Sequence, residues 1–166
     1  FATGSANTIS GILPAHGSAY YEAGNPQITT IAGWARITSD SSVVIQALFR
    51  NNVGGIYYEA GVPSTPGSKR FLIPFDSTTF AATGQTFATG FAIANLEAAA
   101  TNVTCTARDP NGVVIPSAIP VTVLSPLGHW ADYQFPALNG QRGTIDCVSN
   151  TNVSAIALRF LGNALS

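Results

Sequence analysis

The sequence predicts an all-β fold, an antiparallel β-sandwich of Ig-like or jelly-roll-like type. Three observations predict it. Short runs rich in Val, Ile, Thr and aromatic residues are bounded by Gly, Pro, Asn and Asp. The ten prolines fit strand ends and edges rather than helix interiors. The only helix candidate, Asn95–Thr101 (NLEAAAT), is too short to be stable alone. Regular short strands with such turns build a sandwich or a barrel.

The strands read in order. Ser42–Arg50 (SVVIQALFR) and Gly55–Ala60 (GIYYEA) come first. Arg70–Phe75 (RFLIPF) places Phe71, Ile73 and Phe75 on one face by its period of two. Phe87–Asn95 (FATGFAIAN) and Asn102–Arg108 (NVTCTAR) follow, separated by a turn at Leu96–Thr101. Asp109-Pro110-Asn111-Gly112 is a hairpin turn, because proline presets φ at the second position and Asn-Gly accepts positive φ. Beyond it lie Val113–Ile115, Pro120–Leu124, Gly128–Tyr133, Gly143–Val148 and Ser154–Phe160. The alternation predicts a shared core of Phe71, Ile73, Phe75, Phe91, Ile93, Val103, Cys105, Ile145, Cys147, Ile156, Leu158 and Phe160.

Composition bounds the function. The chain has 166 residues, enough for one ordinary domain with a real core. Hydrophobic residues make up 46%, which excludes intrinsic disorder. A net charge of −1 excludes a nucleic-acid binder that works through a basic patch. No run approaches the ~18 apolar residues of a membrane-spanning helix. Met is absent and the chain starts at Phe1, which reads as a processed product. Charged residues make up only 9%, against about 25% in an average soluble domain. Such a surface is either neutral and free, or it meets other protein, as in a fibre or a layer.

Two cysteines occur, Cys105 and Cys147, each in an alternating stretch. An even pair in an exported chain predicts one disulfide, with Cα atoms within about 7 Å. Two buried free thiols are the alternative reading.

A weak internal repeat runs through the chain. Leu13–Glu22 resembles Leu124–Tyr133, Gly33–Ile37 resembles Gly143–Cys147, and Val43–Arg50 resembles Val153–Phe160. The offset is about 110 positions throughout. The repeat divides the chain into an incomplete first β unit, 1–69, and a complete second unit, 70–166, with a single merged sandwich as the other arrangement. The first copy lacks an equivalent of the hairpin Phe87–Ile115. A sandwich short of strands leaves backbone unpaired. Either the merged fold does without them, or the chain is part of a longer one, or a neighbouring subunit supplies them. Asn7, Thr8, Ile9 and Ile12 lie in a short neutral segment able to run extended, a candidate strand donor to a neighbour's sheet edge.

The segments that carry the repeat also carry a resemblance. LPAHGSA, GWARITS, QALFR, RFLIPFD, TGFAIANLEAAATNVTCTARDPNGVVI, GQRGTIDC and SAIALRF span nearly all of the chain from Leu13 onward. Together they resemble extracellular β-sandwich repeat modules found in long secreted proteins of soil bacteria, whose function is unknown. The resemblance implies an exported, non-enzymatic module, and it supplies no ligand or catalytic residues. The chain starts partway into the first half of that pattern.

Catalytic chemistry has little to work with. His16 and His129 each lie beside a turn glycine, and Asp132 falls on the opposite strand face from His129. The G-x-S-x-G, HExxH and P-loop patterns are absent. The eight acids are scattered singly, without a calcium-loop cluster. No cofactor or metal is expected. Trp34, Tyr57, Tyr58 and Trp130 lie on predicted strands and form a candidate aromatic surface for stacking on sugar rings, with core filling as the plainer reading. Asn102 and Asn152 begin sequons, which matter only in a host that glycosylates them.

Two functions remain. The first is a secreted non-catalytic structural protein that self-assembles into an extracellular fibre, layer or stalk through β-strand complementation. The second is a carbohydrate- or surface-binding β-sandwich module. An enzyme is not expected. The expected partners are other copies of the chain and a glycan or cell surface, with no nucleic acid and no membrane span. The expected location is extracellular or at the cell surface.

Overall fold

A computed structural model describes residues 8–22, 33–116, 119, 122–133, 135–162 and 164–165. The chain divides into two units, Phe1–Gly33 and Trp34–Ser166. In the first, the described residues hold a turn closed by Gly17 N–H donating to the Pro14 carbonyl at 2.8 Å, with His16 at φ 59°. The second carries all the described strands. They are β1 (Gln46–Val53), β2 (Ile56–Pro63), β3 (Ser68–Asp76), β4 (Thr79–Phe80), β5 (Gln85–Asn95) and β6 (Thr101–Arg108). Then come β7 (Val114–Ile115), β8 (Thr122–Leu124), β9 (His129–Asp132), β10 (Arg142–Leu161) and β11 (Ala164–Leu165). A 3-10 turn, Pro136–Leu138, lies between β9 and β10.

The strand β10 organises the sandwich. Its first half pairs antiparallel with β3 on one edge and β6 on the other, so that Cys147 stands between Phe71 and Cys105. Its second half pairs with β5, from Val153 opposite Asn95 to Leu161 opposite Phe87. The short β11 pairs with the end of β10, and β9 and β4 extend the sheet beyond β5. One strand thus belongs to two antiparallel layers packed face to face, as sheet corners allow. The sequence reading has two strands here, Gly143–Val148 and Ser154–Phe160, with a polar run, Ser149-Asn150-Thr151-Asn152, between them. The structure keeps it continuous by satisfying the polar groups locally. The Ser149 hydroxyl donates to the Thr151 carbonyl at 2.6 Å, and the Thr151 amide donates to the Thr101 hydroxyl at 3.2 Å. The register against β3 shifts between Val148 and Val153, where the strand passes from one layer to the other.

The core lies between the layers. Ile73 and Phe75 come from β3, Phe91 and Ile93 from β5, Val103 and Ala107 from β6, and Ile145, Cys147 and Val153 from β10. Phe71 and Cys105 pack against them, half-buried. Leu124, Phe135 and Leu138 close the space and were not foreseen. Three expected core residues are displaced. Ile156, Leu158 and Phe160 lie on the outer face of β10, half-buried. The reason is phase. The inward positions of β10 are odd-numbered, and Ala157 and Ala155 stand opposite the core residues Phe91 and Ile93. The sequence reading followed residue size and chose the wrong face. The inner positions here hold Val and Ala because β5 fills that space with Phe and Ile.

The turns follow their local chemistry. The Asp109 carboxylate accepts from the amides of Asn111 and Val113 at 2.9 and 2.8 Å, and Gly112 sits at φ 82°. The Asn95–Thr101 segment forms no helix. The fully buried Asn95 side chain holds it instead, donating to the carbonyls of Ala99 and Ser125 at 2.7 and 2.9 Å and accepting from the Glu97 amide at 3.1 Å. A side chain with two partners within four residues and a third on a neighbouring loop outcompetes the few helical bonds that seven residues can make.

Two carboxyl groups are held below the ordinary carboxylate range. At Asp76 partial burial pushes upward, but hydrogen bonds from the Thr78 hydroxyl and amide and the Arg159 guanidinium outweigh it. At Asp146 the Arg70 guanidinium lowers it through bonds of 2.9 and 2.7 Å, burial opposes this, and Arg108 adds attraction. A carboxyl that binds its proton more weakly in the folded chain gives stability that is complete above the unfolded value, ~3.9. That stability is lost as pH falls through the lower folded value. Thermal midpoints should therefore hold steady above about pH 4 and fall below it. The pair D76N and D146N should flatten that fall. An equally steep acid loss in the double variant would assign it to other groups.

Candidate functional site

The hairpin β1–β2 forms its own two-stranded sheet, with β2 lying against β11. Gly54 and Gly55 turn it at φ 59° and 85°, the positive pair that a two-residue hairpin needs. Val53 stands opposite Ile56, Phe49 opposite Ala60 and Gln46 opposite Pro63. Side chains alternate. Phe49, Asn51, Val53, Tyr58, Ala60 and Val62 form the more buried face, yet only Ala60 is fully buried. The other face carries Leu48, Tyr57 and the ion pair of Arg50 with Glu59 at 2.6 Å. The large residues there are open to solvent, with Leu48 48% and Tyr57 61% exposed.

One edge of β1 faces away from β2. Ser64 N–H donates to the Ile45 carbonyl, so the odd-numbered residues of β1 pair inward with β2. By the same alternation the N–H and C=O groups of Gln46, Leu48, Arg50 and Asn52 point away from β2. Among the described residues no strand meets them. A free-standing two-stranded hairpin is marginal in water, and an exposed edge is a template for another strand. The sequence held a direct signal for this hairpin, Gly-Gly between two β-rich runs. Both strands were read from the sequence but their pairing was not.

The expected donor segment is partly in view. Asn7 lies outside the described residues. Thr8, Ile9 and Ile12 form no strand, and Ile12 is 96% exposed. The cysteines form the expected disulfide, with Cα atoms 4.1 Å apart and S–S 2.01 Å.

The four candidate aromatics do not share a face. Trp130 is turned inward on β9, edge-on to Phe91 with ring centroids 5.3 Å apart and against the core. This corrects the reading of Trp130 as a surface residue: it stands opposite Ile93 on β5 and so shares that inward face. Trp34 is half-buried, and its indole N–H donates to the Leu127 carbonyl at 3.0 Å, with the Arg36 guanidinium over the ring. The Arg36 side chain in turn donates to the Leu96 carbonyl. These two residues tie down the loops at Leu96 and Leu127. Tyr57 is exposed on one face of β2, and Tyr58 is half-buried on the other.

His16 and His129 are both exposed. Among the described residues no group of three His, Cys, Asp or Glu side chains could hold a metal ion. Two shallow depressions lie on the surface of the described residues. One is lined by Asp76, Arg108, Asp109 and Arg142, another by Arg50, Tyr57 and Glu59. Asn102 and Asn152 are exposed on β6 and β10. Among the described residues no helix is long and apolar enough to cross a membrane. Compared with known protein families, with curated proteins and with solved structures, the chain matches none.

Proposed function

We propose that the chain is a secreted, non-catalytic structural subunit that assembles with copies of itself into an extracellular fibre, layer or stalk. Assembly proceeds through β-strand complementation. The observation that carries this reading is the two-stranded β1–β2 sheet, whose first strand has a strand partner on one side only among the described residues. A neighbouring strand added there gains backbone hydrogen bonds whatever its side chains are. Low charge supports the reading, because 9% charged residues raise little repulsion between copies. The intramolecular disulfide supports export, since such bonds persist in oxidising compartments. The resemblance to secreted repeat modules points the same way. The carbohydrate-binding alternative is weaker, because it needs a row of outward rings and these four aromatics do not form one.

Removing Phe1–Gly11 tests the reading. The full chain should form multimers, seen by light scattering and negative-stain images. The shortened chain should keep its β-type circular dichroism and run as a monomer. A shortened chain that assembles as before overturns donation by this segment. A full chain that stays monomeric at high concentration overturns assembly altogether.

A further inference from the structure

The edge of β3 that faces away from β10 is closed by the chain's own side chains. Ser77 N–H donates to the Gln141 carbonyl at 2.8 Å, one step beyond the pair of Asp76 with Arg142. The odd-numbered residues of β3 therefore exchange backbone bonds with β10. The Ser149 hydroxyl, which reaches the Lys69 carbonyl, fits that phase. By alternation the N–H and C=O groups of Arg70, Leu72, Pro74 and Asp76 point to the far edge. Among the described residues no strand is seated there.

Most of these groups are already engaged or missing. At Arg70 the Ser68 hydroxyl takes both: it accepts from the Arg70 N–H at 3.2 Å and donates to the Arg70 carbonyl at 2.8 Å. At Asp76 the Thr89 hydroxyl does the same, accepting from the N–H at 3.1 Å and donating to the carbonyl at 3.4 Å. Thr89 belongs to β5 and is buried, so this end of the edge is tied to the rest of the sandwich. Between the two, Pro74 has no N–H to offer. That leaves Leu72 with an outward N–H that has no acceptor among the described residues. Lys69 is a further obstacle. It shares the phase of Phe71, Ile73 and Phe75, yet it is exposed at the start of the strand. A strand laid beside it would have to cover its charge.

An edge strand invites a second copy of the same edge. Two β3 edges would meet antiparallel about a two-fold axis. The symmetric register through Leu72 sets Arg70 of one copy opposite Pro74 of the other. Pro74 has no proton to give in that exchange, and Arg70 would first have to release the Ser68 hydroxyl. Backbone groups covered without a partner cost more than a made bond contributes. We infer that β3 is an edge built to refuse strand pairing with a second copy, closed by Ser68, Pro74 and Thr89. This goes beyond the assembly reading: it says which edge copies do not share, and it stands whether or not they assemble by another route.

Hydrogen exchange in the full chain tests the edge directly. The Leu72 amide should exchange fastest within β3, and the Ile73 and Phe75 amides slowest. Ser68→Ala should speed exchange at Arg70 roughly fivefold, as loss of an ordinary hydrogen bond does, and leave Ile73 unchanged. A Leu72 amide protected as strongly as that of Ile73 means that a strand is seated on this edge, which overturns the inference and leaves assembly standing. Unchanged exchange at Arg70 overturns the role of Ser68.

A second measurement removes the closure. Leu72→Cys is compared alone and together with Ser68→Val and Pro74→Val, in full chains that keep the β-type circular dichroism of the unaltered one. Under mild oxidation the opened edge should form a 72–72 link, mapped at dimer mass, about tenfold faster than the closed one. Equal rates overturn the inference. Should the paired changes prevent folding, Pro74→Val alone serves, because Pro74 is exposed and valine suits a strand. There the link should still form faster, and an unchanged rate overturns the inference. An unaltered chain that stays monomeric while the opened one links removes the assembly reading and leaves this one standing.

Discussion

Truncating Phe91 to alanine should cost about 3–5 kcal/mol of folding stability. Phe91 is 3% exposed and lies at the centre of the sandwich. Its ring stacks on Phe135 with centroids 5.1 Å apart and meets Trp130 edge-on at 5.3 Å. Such aromatic pairs add about 0.5–1.5 kcal/mol each beyond the burial of area. Its partner across the ladder is Ala157, too small to move into the gap. The same change at Phe160 should cost about 1–2 kcal/mol, because that ring is half-buried on the outer face and loses roughly half the transfer energy. Urea unfolding measures both as a shift in midpoint at constant slope. Equal losses at the two sites would mean that β10 carries the opposite face inward.

This contrast shows what was legible in the sequence and what was not. The strands β3, β5 and β6 were readable because large residues alternate with small or polar ones, and nearly all of their expected inward residues lie in or against the core. The second half of β10 was misread because its pattern is inverted in size. Ile156, Leu158 and Phe160 point outward while Val153, Ala155 and Ala157 point inward. A period of two gives two candidate faces, and size selects between them only when the facing strand leaves room. The phase could have been carried across Ser149–Asn152 from Ile145 and Cys147, had that polar run been read as strand.

The edge of β1 was foreseeable only in outline. The repeat read from the sequence would leave its first copy short of strands. Which side of β1 faces away from β2 depended on hairpin register, set by Gly54 and Gly55. The aromatic surface failed for a different reason. Alternation says that neighbouring rings face opposite ways, but it does not say which way is out. Trp130 faces in because Phe91 and Phe135 offer it flat apolar partners. Trp34 is held by a carbonyl that is 93 positions away in sequence, a contact no local pattern contains.

Removing the disulfide should lower stability by about 3–4 kcal/mol in the chain-entropy account. The bond joins residues 42 positions apart and closes the loop that contains β7, β8, β9 and the 3-10 turn. Two of those strands have only two and three residues, so the loop gains little order from its own ladders. Breaking the bond frees that loop in the unfolded chain, and the folded chain keeps the direct pairing of Cys105 with Cys147 on β6 and β10. Cys105→Ala with Cys147→Ala should therefore fold to the same sandwich but melt about 6–16 °C lower. Cys147 is fully buried, so alanine also leaves a small gap beside Ile145 and Ile73, which adds to the loss. A reductant applied to the unaltered chain should reproduce most of the shift without that gap. If both treatments cost under about 1 kcal/mol, the β6–β10 ladder holds the loop unaided. The bond would then no longer argue that the chain works in an oxidising compartment, and the case for export would rest on the resemblance alone.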